Sequence, residues 1–119
     1  MNRQEHVTIG LFAFIAYSFP LYLITDKIPN GFIFGLFAVA IGSIIPDILE
    51  PATSWKHRGK YHSKRALKYI LTISTIAAIL GYISIIFATS PILYIASGLF
   101  LGYSLHLLAD SITPMGLPD

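Results

Sequence analysis

The chain has 119 residues, of which 55% are apolar and only 12% charged, and its mean hydropathy is +0.69. A water-soluble domain of that size cannot bury so much apolar surface, which excludes an ordinary soluble globule and points to a single integral membrane domain over residues 1–119. The formal charge is only +2, and the absence of cysteine excludes disulfides, thiolate nucleophiles and cysteine-ligated metals, leaving His, Asp and Glu as candidate ligands.

Four apolar segments are each suited to a membrane-spanning helix, at about 7–24, 31–49, 66–88 and 91–113. The first is too long for the apolar part of a secretory signal, and no small-residue cleavage site follows it. Pro20 inside it predicts a kink that frees the Ala16 carbonyl. His6 stands at its start. "DKIPNG" breaks the chain before the second segment, which ends in "PDILEP". Pro46 and Pro51 bracket that end, and Asp47 lies where the helix dipole disfavours an acid. Asp47 therefore needs a partner: a cation, a metal or Arg58.

Next comes "HRGKYHSKRALK", residues 57–68. Six of the eight Lys and Arg residues fall between positions 56 and 68, and two of the four histidines, His57 and His62, sit among them. The spacing of His57 and His62 misses a helical face, but with Gly59 between them it suits a turn that folds two imidazoles toward one point. "ATSP" precedes the fourth segment, with Pro91 suited to a first helical turn. In "GYSLHLLADSITP", His106 and Asp110 are four apart and share a face with Gly98 and Gly102. The glycines read as a small-residue packing face.

The basic cluster sets the topology. Lys- and Arg-rich loops face the cytoplasm, so an even number of spans places both termini there as well. The expected fold is an all-α, four-helix transmembrane bundle, multi-pass in the inner or plasma membrane, with both termini cytoplasmic. On that topology all four histidines, and every acid except Asp26, fall at one membrane face. For His106 and Asp110 alone, a hydrogen bond that glues helices together and a metal site are both open readings. The convergence of His6, Asp47, His57 and His62 on the same face favours a metal site. Ser63 in a Ser/His/Asp arrangement is a weaker idea, because serine is common throughout the chain.

The His near the start of the first helix, "PDILEP", "HRGKYHS" and "GYSLHLLADSITPMGLP" together resemble the family of membrane-bound metal-dependent hydrolases that includes an SOS-regulated bacterial inner-membrane member. The resemblance covers essentially the whole chain. The last motif is also similar to the metal-binding helix of zinc-dependent phospholipase C, which holds several zinc ions and cleaves phosphodiesters. Many relatives carry a second acid where this chain has Leu49, with Glu50 beside it.

The resemblance implies a metal-dependent hydrolase acting on a phosphoester of a lipid or other anionic substrate at the cytoplasmic face. It implies His6, Asp47, His57, His62, His106 and Asp110 as ligands of one or two divalent ions, with zinc the expected metal by ligand type. Asp47, His62 and Arg58 would serve the chemistry. Arg58, Lys60, Lys64 and Arg65 would hold phosphate oxygens, and the basic loop would gather anionic lipid. The expected partners are membrane lipids and a phosphate-bearing substrate, with no nucleic acid; an oligomer is left open. The alternatives are a non-catalytic metal-binding membrane protein and a small metal or proton carrier.

The topology has a direct check. Single cysteines placed at positions 28 and 60 should react with an impermeant thiol reagent from opposite sides of the membrane. Labelling of both from one side overturns the four-span, termini-inside arrangement.

Overall fold

A computed structural model describes residues 3–49 and 63–112, and four helices account for nearly all of them. These are α1 (Arg3–Thr25), α2 (Phe32–Leu49), α3 (Lys64–Ile86) and α4 (Ile92–Ser111). All four are long and apolar enough to cross a membrane. At 1.5 Å per residue, the 23 residues of α1 span about 34 Å and the 18 of α2 about 27 Å, which brackets a hydrocarbon core of about 30 Å. The outward surface carries Phe12, Phe34, Phe37, Ile76 and Leu80, a belt suited to lipid rather than water.

The helix ends differ from the sequence expectation in informative ways. The polar run Arg3-Gln4-Glu5-His6 forms the first turn of α1 and so puts His6 on a helix. Positive φ at Gly31 (85°) turns the chain into α2, which then runs through Pro46 to Leu49. Ser63 is not displayed as a nucleophile. It is the buried N-cap of α3, accepting a hydrogen bond from the Ala66 amide at 3.0 Å, so α3 starts before position 66. At the other end α3 stops at Ile86, because Ala88 takes a left-handed φ of 55°.

Helix α4 is the centre of the bundle. It packs along α2 on one side and α3 on the other, while α1 lies over α2 and α4 and touches α3 less. Glycine makes the α2–α4 contact possible. A Cβ on Gly42 would overlap the Leu99 carbonyl, and one on Gly102 would overlap the Val39 carbonyl and the Ser43 amide. The two backbones therefore touch directly, as small residues allow in membranes. Phe14, Leu21, Val39, Ile85 and Tyr94 fill the rest of the core.

In the half of the bundle away from His6, hydroxyls tie the helices. The Tyr17 hydroxyl and Ser97 Oγ are 2.8 Å apart, and Ser18 hydrogen-bonds the Tyr94 hydroxyl. The Tyr82 hydroxyl donates to the Tyr17 carbonyl. Pro20 lies three residues beyond Tyr17 inside α1. Its ring removes one amide and crowds the preceding turn, and the carbonyl that takes an outside donor is that of Tyr17, one residue beyond Ala16.

Enlarging Gly42 or Gly102 should separate α2 from α4. Gly102→Leu is expected to lower stability by about 1–3 kcal/mol or prevent folding. Phe34→Ala on the lipid-facing surface should change it by no more than about 0.5 kcal/mol. Thermal unfolding in detergent measures both.

Candidate metal centre

Three helices bring four polar side chains together at one end of the bundle. α1 contributes His6 from its first turn, α2 contributes Asp47 near its C-terminus, and α4 contributes His106 and Asp110. His6, His106 and Asp110 are almost wholly buried, at 2%, 1% and 1% exposure, while the Asp47 side chain keeps 27%. The i,i+4 spacing on α4 was legible in the sequence. The reach of His6 to the same point follows from the extra turn at the start of α1.

Asp110 lies between the two imidazoles. Its Oδ1 is 3.2 Å from His6 Nε2 and its Oδ2 is 3.3 Å from His106 Nε2. Asp47 Oδ1 stands 3.5 Å from the same His106 nitrogen. The two rings are stacked, with centroids 3.6 Å apart and planes 12° from parallel. His6 Nδ1 is buried without a hydrogen-bond partner among the described residues. His6, His106 and Asp110 each offer a ligand atom within 4.8 Å of the others, a set that can hold a metal ion.

The other nitrogen of His106 decides the tautomer. Nδ1 is 2.6 Å from the Ser43 carbonyl. A carbonyl only accepts, so Nδ1 carries the hydrogen and donates it. That leaves Nε2 directed at two carboxylates, an arrangement that requires a cation between them, either a second ring proton or a metal. Charge-assisted N–H···O bonds are about 2.7–2.9 Å long. Around a tetrahedral ion with bonds of about 2.0–2.1 Å, neighbouring ligand atoms stand about 3.3–3.4 Å apart. The separations of 3.2, 3.3 and 3.5 Å lie closer to the second pattern.

Ser43 as the partner of His106 has no side-chain signature in the sequence, because the group involved is main chain. Ser43 thus takes the Nδ1 side of His106, and Asp110 stands on the Nε2 side.

Of the other residues singled out, His57, Arg58, Lys60 and His62 lie outside the described residues, as does Glu50. Lys64 and Arg65 are exposed in the first turn of α3.

The YdjM inner membrane protein family profile matches residues 1–118, and the chain belongs to that family. Searches among curated proteins and among solved structures found no match. Family membership and four membrane-length apolar helices together make this a multi-pass inner-membrane protein.

Pro46→Ala separates the proline from the tie between the α2 backbone and His106. The restored amide pairs with the Gly42 carbonyl and leaves the Ser43 carbonyl and every ligand in place, so α2 should be no less stable. Metal affinity should therefore change little, whereas His106→Ala should abolish it. Competition with a chromophoric chelator measures it.

Proposed function

We propose that this member of the YdjM family is a membrane-embedded, metal-dependent hydrolase that cleaves a phosphoester of a lipid or another anionic substrate at the cytoplasmic face. The observation that carries the reading is the convergence of His6, His106, Asp110 and Asp47 from three helices, with the His106 tautomer fixed so that Nε2 faces the carboxylates. An imidazole–carboxylate cluster buried in a membrane protein is costly unless it serves a site. The ligand types suit zinc.

A divalent metal held by these residues would supply Lewis acidity that makes a water nucleophilic near neutral pH. The residues of the chain do the rest. His106 and Asp110 would supply metal ligands from one helix and His6 another from α1. Asp47 is the most exposed of the four and stands at the mouth, where a carboxylate can take a proton from water. His57 and His62 extend the ligand set from the loop, with His62 also serving the chemistry. Arg58 grips phosphate oxygens as a planar fork, and Lys60, Lys64 and Arg65 add positive charge beside the headgroups. Both termini lie in the cytoplasm.

The described helices give the carrier alternative little support. Beyond the His/Asp cluster, the interior groups that link helices are hydroxyls and carbonyls, such as Tyr17, Ser97 and Tyr94, rather than ionisable ligands.

The purified protein should hydrolyse phospholipid in mixed vesicles, lose the activity in chelator and regain it with zinc or manganese. Metal binding without hydrolysis of any phosphoester overturns the enzyme reading and leaves a metal-binding membrane protein. Among variants, Arg58→Lys should lower activity about tenfold or more, in line with charge-assisted hydrogen bonds of about 1.5–3 kcal/mol. Lys64→Ala should have a smaller effect that added salt removes.

A further inference from the structure

We infer that the centre holds two divalent ions rather than one, with the Asp110 carboxylate bridging them. The inference rests on the metal-site reading above and concerns what that site binds.

The stacked imidazoles carry the argument. A metal bound by imidazole lies close to the plane of the ring, along the lone pair of the nitrogen. The rings of His6 and His106 are only 12° from parallel, and their centroids are 3.6 Å apart. Two such planes do not meet anywhere near a bonding distance of about 2.0–2.1 Å. A single ion midway between them would sit well out of both planes and would meet neither lone pair. Two ions, one in each plane, meet both. Their separation would then follow the ring separation of 3.6 Å, which falls within the spacing of about 3.5–4 Å found in two-metal hydrolytic sites.

The carboxylate geometry agrees independently. Asp110 does not point one oxygen at both rings. It gives Oδ1 to His6 at 3.2 Å and Oδ2 to His106 at 3.3 Å. Each nitrogen–oxygen pair has the separation of two ligands on one ion, and the two oxygens of one carboxylate serve different ions. Asp47 Oδ1, 3.5 Å from His106 Nε2, adds a third ligand on the His106 side only. The ion at His106 thus has three described protein ligands, and the ion at His6 has two and stays more open to exogenous oxygen.

The charge balance names the class of ligand. Two divalent ions bring four positive charges against two carboxylates among the described residues at the site, Asp110 and Asp47. Net charge at this depth in a membrane protein is unfavourable. An anionic group with two oxygens to share, such as a phosphoryl group spanning both ions, neutralises it. Two-metal sites act this way in phosphoryl displacement, stabilising both the attacking and the leaving oxygen.

The test counts ions and asks whether they are neighbours. The full chain in detergent is stripped with chelator, loaded with Mn²⁺ and desalted. Bound manganese is counted by mass spectrometry and its state read by electron paramagnetic resonance. Two ions per chain with an exchange-coupled spectrum are expected, and added inorganic phosphate should perturb that spectrum. His6→Ala should halve the stoichiometry and leave the spectrum of an isolated ion. One ion per wild-type chain, uncoupled, overturns the two-ion centre and leaves the metal-site reading standing. Two uncoupled ions overturn the Asp110 bridge, and no bound ion overturns the metal-site reading itself. If His6→Ala does not fold, the wild-type count and coupling still decide the matter.

Discussion

Where Gly42 meets Leu99 and Gly102 meets Val39 and Ser43, two helix backbones lie closer than any side chain would permit. In lipid there is little hydrophobic drive to bring helices together, so such contacts rest on van der Waals packing and on whatever hydrogen bonds the close approach allows. Here it allows one of particular value. His106 is one turn along α4 from Gly102, and its Nδ1 reaches the backbone of α2 at 2.6 Å. With α2 held further away, His106 would lose its orienting acceptor, and Asp47 would move off with the same helix. The polar cluster is in this sense a product of the glycine contact.

Much of this was legible in the sequence. Four apolar runs of membrane length, punctuated by "DKIPNG" and "ATSP", define four helices, and the spacing of His106 and Asp110 puts them on one face. The glycine stripe at Gly98 and Gly102 was readable for the same reason, since a 3.6-residue period fixes which positions share a side. What stayed hidden depends on the third dimension. The partner of His106 Nδ1 is a carbonyl, which every residue has and no letter marks. The stacking of His6 on His106 needs the crossing of α1 over α4. Ser63, only a weak candidate nucleophile beside His62, caps α3, a role that serine just before a helix favours.

The two internal prolines share a pattern. Pro20 and Pro46 each interrupt a spanning helix, and in each case the carbonyl three residues earlier accepts a side-chain donor from another helix: Tyr82 at Tyr17 and His106 at Ser43. A broken main-chain bond in lipid leaves polar groups that must find partners within the protein. The main-chain bonds that the two prolines themselves remove are those to the Ala16 and Gly42 carbonyls, so the ties at Tyr17 and Ser43 lie one residue beyond them. One tie serves packing alone, and the other sets the tautomer of a candidate ligand.

The distribution of ties also gives the bundle a mechanical polarity. At the Tyr17–Tyr94 end, hydroxyls link α1, α3 and α4 through bonds that lipid cannot compete for. At the other end the described side-chain ties between α1 and α4 are those of the imidazole–carboxylate cluster. The assembly resembles a tuning fork, with its stem at the tyrosines and its tines at His6 and Asp110. A cation held at the candidate site would draw the tines together, adding there the tie that the hydroxyls supply at the stem.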